Sequence, residues 1–236
     1  MISIVTGTLN RLEFIFDLIK NTIDRSDKLE LVLVDGGSTD GTINYIKNLN
    51  HPKIKLVEVG QRSSYPHFMN LGIKNSKYEW ICQWNDDVLL CNDWVEITNE
   101  IEDGYDFYIF NWKYGNKNQI YESSWLDGED VSKGWCILDA SESGKEIVMN
   151  YGIYNKKIFR EIGLYNNSYY YYYADSDMSH RAHLFGYKHK TLKNIKVCSL
   201  ITEKRAQSGV NDTNTYHQML ENYKNKQLPN ILEFLK

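Results

Sequence analysis

The stretch LVLVDGGSTDGT, residues 31–42, opens with four apolar residues and then turns abruptly polar and glycine-rich. A short continuous apolar run fits a parallel strand covered on both faces. Gly36 and Gly37 let the backbone approach a ligand closely, and Asp35 could accept a hydrogen bond from a ribose hydroxyl or a base NH. The same residues also fit a plain strand–turn–helix connection, with Ser38, Thr39 or Asp40 capping the helix that follows.

The pattern repeats on both sides. Residues 2–6, ISIVT, form a short β-branched strand, and Leu12, Ile15, Phe16, Ile19 and Ile23 then recur at helical spacing. Beyond Thr42 a helix would carry Ile43, Ile46 and Leu49 inward. Residues 54–59 alternate as a third strand, 66–74 fit a short helix, and 79–84 a fourth strand. Strand–helix alternation with short connections predicts an α/β fold with a mainly parallel, Rossmann-like central sheet flanked by helices. Ligands of such sheets sit beyond the carboxyl ends of the strands, where residues 6–11, 35–40 and 85–87 fall. The second half is less regular. Residues 105–112 read as a strand, 113–150 as a polar excursion, and 151–159 as a return to the sheet. Residues 175–185 read as a helix entered through acidic residues, and 213–236 as helical until Pro229.

Length and composition narrow the classes. The 236 residues suffice for one sizeable core. A net charge of -4 argues against a nucleic-acid partner, which needs a basic face. The aromatic share is 14 %, with 18 Tyr, and flat amphipathic rings suit sugar faces as well as ordinary packing. Cys82, Cys91, Cys136 and Cys198 are scattered, as expected of free thiols in a reducing compartment. No apolar run reaches membrane-spanning length, and ISIVT is too short for a signal peptide. The expectation is a cytoplasmic protein that meets a membrane, if at all, peripherally through its acceptor.

Three stretches carry chemistry. CQWNDDVLL, residues 82–90, places Asn85, Asp86 and Asp87 after a buried strand. They form either a turn that caps the next helix or a site for a hard cation, Mg²⁺ or Mn²⁺, bridging a diphosphate. ADSDMSHR, residues 174–181, puts Asp175 and Asp177 at a helix start, as dipole-stabilised caps or with one of them as a general base beside aromatic walls. The run Tyr169, Tyr170, Tyr171, Tyr172, Tyr173 just upstream would be such a wall or a packing strand. His180 and His183 have a spacing that could hold Zn²⁺, but without a Cys or Glu pair nearby surface histidines fit better. Arg11 and Arg62 could neutralise phosphate from loops or stand solvated.

Together these stretches resemble the family 2 glycosyltransferases of the GT-A fold. ISIVTGTLNR is similar to that family's opening strand and its threonine–aromatic–asparagine–arginine turn, and LVLVDGGSTDGT to its most recurrent signature. KYEWICQWNDDV stands where the family has a strand ending in a DxD-type metal motif. YGIYNKKIFREIGLYN followed by ADSDMSHRAHLFGYK resembles the acceptor-side segment and the glutamate–aspartate helix. The resemblance covers residues 1–190 and implies one GT-A domain, with a donor half at 1–104, an acceptor half at 105–212 and a helical tail at 213–236. It implies that Thr6, Gly7, Thr8, Leu9 and Asp35 contact the nucleoside of a nucleotide-sugar donor, with Arg11 and Arg62 also on the donor side. Asp86 and Asp87 would hold the donor and a Mn²⁺ or Mg²⁺ ion. Asp175 would be the base on a glycan or other hydroxyl acceptor in an inverting transfer, with UDP as the expected nucleotide.

Some positions depart from the family pattern. Leu9 replaces an aromatic residue, Gly36 an aspartate, Asn85 the first aspartate of the metal motif, and Ala174 a glutamate. LITEKRAQSG lacks the histidine that often completes the metal site, leaving Glu203 as the candidate. Asn85 and Ala174 motivate the alternative of a non-catalytic GT-A module that binds a nucleotide sugar or glycan. A dinucleotide oxidoreductase is set aside, because no GxGxxG loop follows the first strand. A nucleotidyltransferase is set aside for want of its glycine- and arginine-rich phosphate loop.

Overall fold

The computed structural model describes residues 1–127, 135, 149–202 and 212–236. Cys136, Glu203 and part of the 113–150 excursion lie outside the described residues. The first half alternates as expected: β1 Ile2–Thr8, α1 Leu12–Asn21, β2 Leu29–Asp35, α2 Thr42–Leu49, β3 Ile54–Glu58, α3 Tyr65–Asn75 and β4 Trp80–Gln83. Then come β5 Val88–Leu90, α4 Trp94–Glu100 and β6 Phe107–Gly115, followed by a 3-10 turn and the short α5 Ser123–Leu126. The later elements are β7 Gly152–Asn155, α6 Lys156–Glu161, α7 Ala174–Leu184, β8 His189–Leu200 and α8 Thr213–Lys224, which ends before Pro229.

The eight strands make one sheet in the order β3-β2-β1-β4-β7-β6-β8-β5. β3, β2, β1 and β4 are parallel, as are β6 and β8, whereas β7 runs antiparallel to β4 and β6, and β5 antiparallel to β8. β5 removes the helix-capping alternative for residues 85–87. The acidic residues lead into a short strand rather than a helix, and the helix after it is capped by Asp93, with Glu96 completing a capping box.

Period-2 burial splits the core between the two faces of the sheet. Ile2, Ile4, Leu29, Leu31 and Leu33 face a cluster shared with Ile15, Leu18 and Ile19 of α1. Val5 and Val32 face the opposite cluster, with Met69 and Ile73 of α3, Phe159 and Met178. Two expected inward residues are at the surface. Phe16 is 40 % exposed with its ring against Tyr45, and Leu49 is 38 % exposed. α2 lies beside β3, the outermost strand, which offers only a half-buried face, so Ile46 alone of its three apolar residues is fully buried. Among the described residues no helix is long and apolar enough to cross a membrane.

α3 lies close to the sheet because Gly72 has no side chain, and a Cβ there would overlap Val5 Cγ1 and press on Val34 Cγ2. Both valines are fully buried, so neither has room to retreat. Gly72→Ala should therefore destabilise the fold by about 1–3 kcal/mol. In a thermal melt the midpoint should fall by roughly 2–4 °C for each kcal/mol.

Candidate active site

The parallel register sets the donor edge. Thr8 at the end of β1 pairs with Asp35 at the end of β2, and Val5 pairs with Gln83 at the end of β4. The loops that follow thus emerge side by side. Asp35 is fully buried, and its carboxylate accepts from the amides of Gly37 (2.8 Å) and Ser38 (2.7 Å) and from the Ser38 hydroxyl (2.6 Å). This folds the glycine turn on itself, and Gly37 adopts φ 92, where a side chain would also collide with the Gly60 carbonyl. Ser38 and Thr39 therefore do not cap α2. The Thr39 amide goes to Asn10 Oδ1 (2.7 Å), and Ser38 Oγ accepts from the Asn10 amide (2.8 Å), lacing the two turns together. Asp40 serves both helix starts, accepting from the Leu12 amide (3.0 Å) and the Thr42 amide (3.1 Å).

The acidic turn stands opposite. Its ends are fastened by the Trp84 indole donating to the Val88 carbonyl (3.1 Å) and the Leu200 amide donating to the Asp87 carbonyl (2.9 Å). Asp86 accepts from the Thr8 hydroxyl at 2.8 Å. Arg11 spans both carboxylates, with Nε 3.3 Å from Asp86 Oδ1 and Nη2 2.5 Å from Asp87 Oδ2, and its guanidinium lies 4.4 Å from the Phe14 ring centroid. Burial pushes the Asp86 carboxyl up to about 6. Arg11 and the Thr8 bond pull it down, and the Asp87 charge pushes it up. Two desolvated carboxylates with only partial compensation form a hard oxygen donor set that a divalent cation fits. Among the described residues no third His, Cys, Asp or Glu joins them, so further ligands would come from the diphosphate or from outside those residues.

Asp175 is half-buried in the first turn of α7, where it accepts from the Ser176 amide (2.9 Å). Burial raises its pKa against the opposing pull of that amide and its own. The surrounding phenols of Tyr65, Tyr154 and Tyr165 are all held protonated by burial, with Asp175 adding to the effect. The charges of both Asp87 and Asp175 bear on the buried phenol of Tyr151. Asn85 Nδ2 reaches that phenol oxygen at 3.4 Å, so Asn85 links the acidic turn to Tyr151.

The rest of this helix is structural. Asp177 is fully buried and accepts from Tyr169 (2.9 Å) and Tyr223 (2.8 Å), and it lies 3.8 Å from the equally buried Arg181. His180 is not a surface residue. It is buried and bonded through Nδ1 to the Tyr216 hydroxyl at 2.5 Å, while His183 packs on His189, so the pair does not share a metal.

The structure thus brings Thr8, Arg11, Asp86 and Asp87 into one cluster, with Gly7, Leu9 and Asp35 beside it. Thr6 lies beneath, fully buried, with its hydroxyl turned to the Gly7 carbonyl. Arg62 is exposed on the loop between β3 and α3, whose Gly60 lies against Gly37. Four residues escaped the sequence reading: Asn10, Phe68, Tyr151 and Asp212. Phe68 covers the ends of β1 and β2 so closely that a Cβ would stand 3.1 Å from it at Gly7 and 3.0 Å at Gly36. A half-buried aromatic residue therefore stands beside Leu9, where an aromatic was missing from the opening turn. Only Asn10 had a signal, its place in that turn.

The model of the family described as glycosyl transferase family 2 matches residues 3–160, more than half of the chain. No curated protein matches it in sequence. Among solved structures, mannosyltransferase PcManGT from Pyrobaculum calidifontis in complex with GDP-Man and Mn²⁺ superposes with a TM-score of 0.62 at 15% identity, over 86% of this chain and 57% of that one. This chain therefore spans little more than half of that enzyme. S. aureus TarS 1-349 superposes with a TM-score of 0.63 in complex with UDP, at 15% identity over 95% of this chain and 71% of its own. In complex with UDP-GlcNAc the TM-score is 0.62 at 15% identity, over 94% and 65%. At such identity the likeness establishes the shared fold.

The raised Asp86 pKa has a consequence for stability. The folded carboxyl binds its proton more tightly than an unfolded one, so ionisation works against the fold. Relative to Asp86→Asn, the wild type should lose about 2–3 kcal/mol as pH rises from about 4 to about 6, and no more above that. Urea unfolding of both proteins across this range measures the difference.

Proposed function

The chain belongs to glycosyl transferase family 2 and is a glycosyltransferase of the GT-A fold, and we propose that it transfers a sugar from a UDP-linked donor to a hydroxyl of a glycan or other acceptor, with inversion. One observation carries this reading: Thr8, Arg11, Asp86 and Asp87 cluster at the edge where β1, β2 and β4 end, and the buried phenol of Tyr151 feels the charges of both Asp87 and Asp175. The solved relatives hold UDP, UDP-GlcNAc or GDP-Man, which supports a nucleotide-sugar donor. In this reading residues 1–104 bind the donor, 105–212 the acceptor, and 213–236 brace the acceptor side. A cytoplasmic location agrees with the free thiols Cys82, Cys91 and Cys198.

Each residue then has a task. Gly7, Leu9 and the loop folded around Asp35 receive the nucleoside, and Thr6 supports that turn from below. Arg11 and Arg62 offer positive charge to the diphosphate. Asp87, with Asp86 beside it, would hold Mn²⁺ or Mg²⁺, which offsets charge on the departing diphosphate. Asp175 takes the proton from the acceptor hydroxyl as its oxygen bonds to the anomeric carbon and the bond to the diphosphate breaks. Attack from the face opposite the leaving group inverts that carbon, as in single-displacement glycoside hydrolysis. Desolvation makes Asp175 a stronger base than an exposed aspartate.

A second reading, a binding module without turnover, is favoured by Arg11 lying across both carboxylates. Thermal unfolding with UDP, GDP, dTDP and CDP, each with Mn²⁺ or EDTA, tests the donor. A native-state ligand raises the melting temperature, and UDP with Mn²⁺ should do so where UDP with EDTA does not. A Mn²⁺-dependent shift with no donor hydrolysis or transfer would favour the module. Asp175→Asn should lower kcat by about 10²–10⁴-fold with the UDP shift intact, and loss of the shift instead would move Asp175 to the donor site. Asp87→Ala should abolish the Mn²⁺ dependence of the UDP shift. In the wild type kcat/KM should rise with pH through the Asp175 ionisation, along a limb displaced upward from the usual aspartate value.

A further inference from the structure

Four consecutive tyrosines stand at the surface just ahead of Asp175, with only Ala174 between. Tyr170, Tyr171, Tyr172 and Tyr173 are 37%, 41%, 48% and 36% exposed, whereas Tyr169 is buried on Asp177. They form no strand. The amides of Tyr170 (3.1 Å), Tyr171 (3.0 Å) and Tyr172 (3.1 Å) all donate to one oxygen of Asp212, ahead of α8. The Tyr170 carbonyl accepts from the Tyr65 amide at 2.9 Å, which ties the run to α3. Tyr173 adopts φ 64, a left-handed conformation that costs a residue with a side chain about 1–2 kcal/mol.

This backbone is fixed from two sides while its side chains stay partly exposed. Core packing does not explain that, because the core takes only Tyr169. Tyr171 and Tyr172 meet edge to face at 5.1 Å, and Tyr173 lies stacked on Tyr216 at 4.9 Å, giving two separate aromatic surfaces next to the proposed base. A phenol offers a flat apolar face with a hydroxyl at its rim, which matches the apolar CH face and equatorial hydroxyls of a pyranose. The net charge of -4 weighs against an anionic membrane surface as the occupant.

We propose that residues 170–173 are a carbohydrate-binding platform and that the acceptor is an oligosaccharide. Its terminal sugar presents a hydroxyl to Asp175, and the preceding sugars lie across the tyrosines. The placement of the terminal sugar rests on Asp175 being the base, whereas the platform itself does not.

The test compares the wild type with a Tyr171→Ala/Tyr172→Ala variant and a Tyr171→Phe/Tyr172→Phe variant. The rings of Tyr171 and Tyr172 meet each other, and Asp212 holds both residues through backbone amides that the substitutions keep. Each protein is applied to a printed array of defined oligosaccharides, and the oligosaccharide best retained is titrated beside its terminal monosaccharide. Phosphatidylglycerol vesicles serve as the competing surface. The wild type should retain an oligosaccharide more tightly than the monosaccharide. The alanine variant should bind it at least about tenfold more weakly, and the phenylalanine variant nearly as well as the wild type. Melting temperature and the UDP–Mn²⁺ shift should be the same in all three. The platform is overturned if the wild type retains no oligosaccharide, if the alanine variant binds equally well, or if tyrosine-dependent binding goes to vesicles instead. Tyrosine-dependent oligosaccharide binding without any nucleotide shift would support the platform while the donor reading fails.

Discussion

The guanidinium of Arg11 lies across two adjacent carboxylates, and the donor edge is assembled around that contact. Asp86 and Asp87 are both largely desolvated, so without an intervening cation their repulsion would open the turn that carries them. Arg11 reaches them because the Asn10 turn redirects the chain after β1, and the Asn10 bonds to Ser38 and Thr39 fix that turn. The compensation is incomplete, as the raised Asp86 pKa records. A site left with surplus negative charge is prepared for a second cation.

The acceptor side is organised by a different buried charge. Asp177 and Arg181 face each other with no exposure, and Asp177 also takes the hydroxyls of Tyr169 and Tyr223. A pair this deep recovers little net stability after desolvation. What it does here is join the start of α7 to α8 and to the tyrosine run, which Asp212 holds from the other end. α3 then connects the two sides. Tyr65 meets the tyrosine run, Phe68 covers the β1 and β2 ends one turn later, and Asn70 bonds the amide and carbonyl of Tyr165.

Much of this was legible in the chain. β1, α1, β2, β3, α3 and β4 follow from local apolar periodicity, because a parallel strand covered on both faces reads as a mainly apolar run, and the burial of Leu31 and Val34 shows the same demand. What failed did so where long-range partners outweigh local preference. Ser38 and Thr39 are good caps in isolation, yet Asp35 and Asn10 compete for them. His180 looked like a surface residue until Tyr216, 36 positions away, covered it. β5 is three residues long and exists because β8 pairs with it.

The sequence by itself determined that three polar loops would leave one edge of a parallel sheet, because alternating strand and helix patterns with short connections permit little else. It also placed Asp175 at the start of a helix. Only the tertiary structure decided what those residues touch. Arg11 across Asp86 and Asp87, Phe68 over Gly7 and Gly36, Asn85 on Tyr151 and Asp212 beneath the tyrosine run are contacts between residues 32 to 76 positions apart. Periodicity reports which face of an element is buried. It carries no information about which distant side chain is buried against it, and the chemistry of this site is made of those pairings.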